Sequence, residues 1–172
     1  LFGGITLVVS PLISLMQDQV ASLIENGVSA VFLNSSLEWG EYLDAVQRIK
    51  SGSVKLVYLS PEALAAERTQ SILHDASLPV SCITIDEAHC ISEWGHDFRP
   101  EYTQLGGLKA AFPNAPIMAL TATADYATRQ DILTHLKLDH PHKYIGSFDR
   151  PNIRYTLEEK FKPMEQLTRF VL

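Results

Sequence analysis

At 172 residues the chain has the length of one globular domain and can bury a sizeable core. Its composition, 46% hydrophobic and 20% charged, is ordinary for a soluble globular protein. A net charge of −6 supplies no general attraction to nucleic acid, so any such binding has to come from a local patch. No apolar run is long enough to span a membrane, and Leu1 to Ser10 lacks the charged start and cleavage site of a signal peptide. The two cysteines, Cys82 and Cys90, have no second pair to complete a zinc site and read as reduced intracellular thiols, Cys82 in the core. A cytosolic protein is expected.

Ile5 to Val9 (I-T-L-V-V) is a short strand ended by Ser10-Pro11. Helical spacing follows, with Leu12, Leu15, Met16, Val20, Leu23 and Ile24 on one face and Asn26-Gly27 as the stop. Ala30 to Leu33 forms the next strand. Ser35 and Glu38 have capping-box spacing and open a helix whose apolar side is Tyr42, Val46 and Ile49, ending at Ser51-Gly52. Val54 to Leu59 is a third strand, ended by Ser60-Pro61, with Glu62 starting a helical turn. Val80 to Ile85 is a fourth. Glu101 to Ala111 reads as a helix interrupted at Gly106-Gly107. Pro116 to Leu120 is a strand leading into Thr121-Ala-Thr123, and Asp125 caps a helix to Leu136. Lys143 to Ile145 is expected to be a last strand. A domain boundary is expected between Phe148 and Asn152, which divides the chain into 1–148 and 149–172. Strands alternating with helices at this spacing predict an α/β fold, a mostly parallel sheet with helices on both faces.

The fourth strand delivers two adjacent carboxylates, Asp86 and Glu87, with His89 two residues on and Trp94, His96, Phe98 and Arg99 behind them. Open α/β sheets keep ligands at the carboxyl ends of their strands. There one acid can hold Mg²⁺ and its neighbour can orient an attacking water in nucleotide hydrolysis. Aromatic and basic side chains can stack on bases and neutralise phosphates. The small polar strand ends Ser10, Ser60, Thr121 and Thr123 suit contacts to phosphate oxygens. A single Ser-Pro is ordinary strand termination, and for the set the two readings balance.

The order S-P-L-I-S-L-M-Q-D-Q at 10–19, D-E-A-H-C-I-S-E-W-G-H-D-F-R-P-E-Y at 86–102, A-L-T-A-T-A at 119–124 and S-F-D-R-P-N-I-R-Y at 147–155 resembles the RecQ family of DNA helicases, bacterial members most of all. The resemblance implies a RecA-like motor lobe and an ATP-dependent 3′ to 5′ helicase acting in replication, recombination and repair. Nucleotide and single-stranded and forked DNA would be its partners, near the nucleoid, with no membrane. It implies that Asp86 holds Mg²⁺ through water and that Glu87 activates the water attacking the γ-phosphate. His89 would link nucleotide state to Thr121 and Thr123. Ser10, Pro11 and Ser60 would touch the DNA backbone, and Trp94, His96, Phe98 and Arg99 would couple single-strand binding to hydrolysis.

A phosphate-cradling G-x-x-x-x-G-K-S/T loop is absent from the chain. The family places it upstream of Leu1, and it places a second lobe and a zinc-binding module after Leu172. The expected object is therefore an internal piece whose sheet lacks its phosphate-loop strand, poorly folded and inactive alone. Two other classes stay open on the residues. One is a metal-dependent hydrolase or nuclease using Asp86, Glu87, His89, His96 and Asp97 as ligands. The other is a non-catalytic single-strand-binding module.

Overall fold

The computed structural model describes residues 3–74, 79–93, 97–147 and 149–171. These form two compact units, Leu1–His140 and Pro141–Leu172. The boundary expected at Phe148 to Asn152 falls inside the second unit.

The first unit is built on five parallel strands: β1 (Ile5–Val9), β2 (Ala30–Leu33), β3 (Leu56–Leu59), β4 (Val80–Ile85) and β5 (Ile117–Ala119). Their spatial order is β2-β3-β1-β4-β5. The strands are short and almost wholly apolar, as parallel strands covered on both faces have to be. Side-chain alternation sends Leu7, Val9, Val57, Leu59, Ile83 and Ile85 into a large core and turns Val8, Tyr58 and Ala30 to the opposite face.

Helix α1 (Ile13–Glu25) covers that second face through Met16 and Val20. The apolar stripe expected on α1 is broader than the surface it meets. Leu12 and Ile24 are therefore 43% and 50% exposed. Helix α2 (Trp39–Lys50) lays Tyr42, Ala45 and Ile49 on the large core. It begins later than its sequence suggests. Asn34 Oδ1 accepts from the backbone N–H of Ser36 at 2.9 Å and from its hydroxyl at 2.7 Å, a local turn that holds this stretch out of the helix. The capping pair is consequently Glu38 with Glu41, whose Oε2 accepts from the Glu38 N–H at 2.9 Å, and not Ser35 with Glu38.

Two short helices, α3 (Pro61–Ala65) and α4 (Glu67–Leu73), follow β3. Beyond β4 come a 3₁₀ turn (Ala88–Ile91), α5 (Pro100–Thr103), a second 3₁₀ turn (Gln104–Gly107) and α6 (Leu108–Ala111). The helix read over Glu101 to Ala111 is thus broken at its glycines. A Cβ on Gly106 would lie 2.4 Å from the carbonyl oxygen of His135, whereas one on Gly107 would meet nothing. Gly106 is there for close approach to the end of α7 (Tyr126–His135).

In the second unit Lys143 to Ile145 forms no strand, contrary to expectation. Tyr144 and Ile145 are exposed and have no neighbouring strand among the described residues, and β propensity without a partner does not hold a strand. Helix α8 (Pro163–Val171) is amphipathic and buries none of its described residues.

Candidate active site at the sheet rim

Strand register sets the site. Val9 pairs with Leu59 and with Ile85, Leu33 with Leu59, and Ile85 with Ala119. The next residues, Asn34, Ser60, Ser10, Asp86 and Leu120, therefore stand side by side along the carboxyl rim. The backbone carries the alignment past the last pairs: Ser10 N–H donates to Leu59 O at 3.0 Å, Asp86 N–H to Val9 O at 2.8 Å and Ala88 N–H to Leu120 O at 2.8 Å.

Asp86 is half-buried. Its Oδ1 accepts from the N–H of Glu87 at 2.9 Å, and its backbone carbonyl accepts from the hydroxyl of the fully buried Tyr102 at 3.0 Å. Burial is the main cause that holds the Tyr102 hydroxyl far above its ordinary pKa, so it serves as a fixed donor.

Glu87 is not a strand residue. It adopts the left-handed conformation, φ 47° and ψ 43°, which costs a non-glycine residue roughly 1–2 kcal/mol. The strand therefore ends at Ile85, and Glu87 is carried by the turn that follows it. Left-handed non-glycine residues concentrate at functional sites. Here the turn brings Glu87 Oε2 to 3.2 Å from Nδ1 of His89.

His89 is buried, and the same Nδ1 lies 3.0 Å from Oγ1 of Thr121. A carboxylate can only accept, so the network assigns the proton to Nδ1, shared between Glu87 and Thr121. Thr121 Oγ1 also accepts from the N–H of Thr123 at 3.2 Å. One continuous path thus joins Glu87, His89, Thr121 and Thr123, and all four were read from sequence as site residues.

The remaining expected residues are placed unevenly. Ser10 is fully buried, and its Oγ has no hydrogen-bond partner among the described residues. Ser60 is also buried, and its Oγ accepts from the N–H of Ala63 at 3.2 Å as the N-cap of α3. Pro11 is half-buried, and its carbonyl accepts from the Arg99 guanidinium at 3.3 Å. Arg99 Nε also stands 3.8 Å from Asp97 and has no hydrogen-bond partner among the described residues. Phe98 is half-buried. Trp94 and His96 lie outside the described residues.

Sequence reading missed three contributors. Tyr102 pins the Asp86 backbone. Ser92, fully buried, donates to Asp131 Oδ2 at 2.5 Å and ties the 3₁₀ turn to α7. Cys90 sits against Asp97 at 3.7 Å. Only the run of residues around D-E-A-H pointed toward them, since each contact is long-range or depends on a turn.

Among the described residues the ligand atoms that converge are those of His89, Cys90 and Asp97, all within 4.8 Å. Among the described residues Asp86 and Glu87 join no such group, and His96, a further ligand of the set expected for a metal hydrolase, lies outside them. Burial first, then the charge of Asp97, pushes the Cys90 thiol up to about 11, so it stays protonated and donates to that carboxylate. A cation there would have to displace that proton beside the Arg99 guanidinium. By contrast, the partly exposed carboxylate of Asp86, with one oxygen fixed by a backbone N–H, suits a hard ion such as Mg²⁺.

The family model described as DEAD/DEAH box helicase matches residues 2–132. The chain is 66% identical over 172 residues to the ATP-dependent DNA helicase RecQ of Pasteurella multocida and 67% identical to that of Haemophilus influenzae, covering 99% of this chain and 27% of each relative. It is 43% identical to the probable ATP-dependent DNA helicase RecS of Bacillus subtilis, covering 99% of this chain and 34% of that protein. The chain therefore spans about a quarter to a third of the length of these relatives. Among solved structures, the Hef helicase domain of Pyrococcus furiosus superposes with a TM-score of 0.53 at 18% identity, over 81% of this chain and 29% of that one, a likeness of fold.

Proposed function

The chain belongs to the DEAD/DEAH box helicase family, and on that premise we propose that it is the acid-bearing motor lobe of a RecQ-type, ATP-dependent DNA helicase moving 3′ to 5′ along single-stranded DNA. The supporting observation is the path from Glu87 through His89 Nδ1 to Thr121, at 3.2 and 3.0 Å. It connects a carboxylate able to accept a proton from water with a threonine segment at the neighbouring strand end. Such a connection lets a proton-accepting group and a strand-gripping segment respond to one another.

In this reading Asp86 holds Mg²⁺ through water, and the ion supplies charge neutralisation at the phosphates. Glu87 orients the attacking water and takes its proton. His89 holds the Glu87 carboxylate in place and transmits its position to Thr121 and Thr123. Phe98, Arg99 and the neighbouring Trp94 and His96 form the coupling segment, and Pro11 sits beside it through Arg99. Residues 1–148 act as the lobe, and 149–172 lead out of it. Forked DNA is the proposed substrate and the cytoplasm, at the nucleoid, the proposed site of action. Recombination, repair and replication are the proposed roles.

The test is Glu87→Gln in the full-length protein. The substitution keeps the shape and removes the base. DNA-stimulated ATP hydrolysis is expected to fall by about 10²-fold or more, with binding of a fluorescent nucleotide retained. Turnover within a few-fold of the unaltered protein would remove Glu87 from its role.

A further inference from the structure

A second site stands at the other end of the rim. Asn34, at the end of β2, is three strand steps from Asp86, about 14 Å at the spacing of neighbouring strands. Beside it Trp39 and Tyr42, three apart in the first turns of α2, stack with ring centroids 5.7 Å apart and planes 10° from parallel. The guanidinium of Arg68, on α4, lies 4.3 Å from the Tyr42 ring centre. Tyr42 is buried beneath this arrangement, while Trp39 remains 64% exposed. These residues line a cleft of about 190 Å³ with Asn34, Ser35 and Leu37.

Two buried polar atoms of the side chains that line this cleft, Asn34 Nδ2 and Tyr42 OH, have no hydrogen-bond partner among the described residues. Asn34 is 5% exposed and Tyr42 7%. The amide orientation of Asn34 is determined by its surroundings, because its Oδ1 accepts twice from Ser36 and its Nδ2 must then face away. A buried donor without an acceptor is costly and rare, and it marks a place where an acceptor from elsewhere is wanted.

We propose that this cleft is a stacking site for a single unpaired nucleobase of the bound strand, laid on the open face of Trp39 with an acceptor on its edge meeting Asn34 Nδ2. The inference rests on the nucleic-acid reading above and deepens it. The chemistry selects the ligand. An aromatic face accepts any base, the orphan donor requires an acceptor-bearing ring, and Arg68 adds the positive charge that a phosphodiester needs nearby. The cleft is smaller than a typical small-molecule pocket of roughly 300 Å³ or more. It therefore holds one ring and not a whole nucleotide, which favours a base in a strand over a free one. At about 14 Å from the acids, a strand crossing the rim would reach it a few nucleotides away.

The test is binding of the full-length protein to a fluorescent oligothymidylate and to a set of the same strands, each with one abasic position. The unaltered protein should lose affinity about 5- to 100-fold at one particular abasic position. Trp39→Ala should bind the intact strand as weakly as the unaltered protein binds that abasic strand, with no further loss when the two changes are combined. Trp39→Phe should restore most of the difference. Asn34→Asp, which keeps the acceptor for Ser36 and removes the donor, should weaken the intact strand by a larger factor than the abasic one, which only its added charge weakens. Free thymidine monophosphate should compete poorly. Equal losses for Trp39→Ala on intact and abasic strands would overturn the site, as would unchanged binding or competition by the monophosphate at concentrations matching the strand. No binding of any single strand by the unaltered protein would overturn the nucleic-acid reading as well, which separates the two failures.

Discussion

The imidazole of His89 has both a carboxylate and a hydroxyl at one nitrogen, and that geometry depends on a single unfavourable backbone angle at Glu87. A small change at either partner should therefore act on coupling before it acts on binding. Thr121→Val removes the hydroxyl and keeps the shape. It is expected to leave nucleotide affinity unchanged and to lower unwinding per ATP hydrolysed about tenfold, with Thr121→Ser restoring it. Unwinding that falls only in step with hydrolysis would count against the transmitting role. Cys90 carries a separate pH signature. Its folded pKa is raised from the ordinary 9.0 to about 11, by burial first and then by Asp97. The folded state thus keeps a proton that the unfolded chain releases. This contribution to stability is complete below pH 9.0 and is lost as pH rises toward about 11. Chemical denaturation at stepped pH should show an alkaline decline that is reduced in Cys90→Ser.

At the scale of elements, the close contacts decide which substitutions matter. Gly106→Ala would drive a methyl into the His135 carbonyl, whereas Gly107→Ala has open space. The first is expected to destabilise by about 1–3 kcal/mol, and the second to be neutral or mildly stabilising. Thermal melts of the two variants side by side would distinguish this from a general need for glycine at the break. The sheet itself was largely legible: four of its strands overlap the apolar runs Ile5 to Val9, Ala30 to Leu33, Val54 to Leu59 and Val80 to Ile85, and the fifth lies within Pro116 to Leu120. These runs are short, continuous and bounded by turn residues, the pattern a doubly covered strand requires. The start of α2 was not legible, because Asn34 competes for the same backbone N–H groups that a helix beginning at Ser35 would use. The strand expected at Lys143 to Ile145 failed for the opposite reason: propensity was present, but among the described residues no partner strand was.

For the molecule as a whole, the first unit holds the large core, and the stretch after His140 is mostly exposed, with Tyr144, Tyr155 and Leu157 almost fully so. Tyr42, Tyr58 and Tyr102 in the first unit are buried. Limited chymotrypsin digestion should therefore cut first at Tyr144 and Tyr155 and leave a resistant fragment spanning residues up to that region. Early cleavage at Tyr58 or Tyr102 would show that the core of the first unit is not stable in solution, the outcome expected from sequence if the chain folds poorly alone. The sheet has two edges, β2 and β5. On β5 Met118 is 50% exposed, a hydrophobic residue on an edge strand of the kind that other proteins cover or charge. Met118→Lys is expected to reduce concentration-dependent light scattering of the chain without lowering its melting temperature, since the side chain contributes little to the core.

Local chemistry was readable directly. The paired acids after an apolar run, the hydroxyl-rich strand end at Thr121 and the cap at Asp125 all depend on neighbours within a few residues, and a linear pattern records such neighbours. Asp125 does accept from the Thr128 N–H at 2.8 Å. Which of those groups meet was decided by parallel register and by one left-handed turn. Register placed Thr121 beside His89 across 32 residues of chain, buried the Ser10 and Ser60 hydroxyls that looked available, and set Asn34 and Trp39 at the far end of the same rim. Those relations arise only when strands distant in sequence become neighbours in the sheet, and no spacing within the chain encodes them.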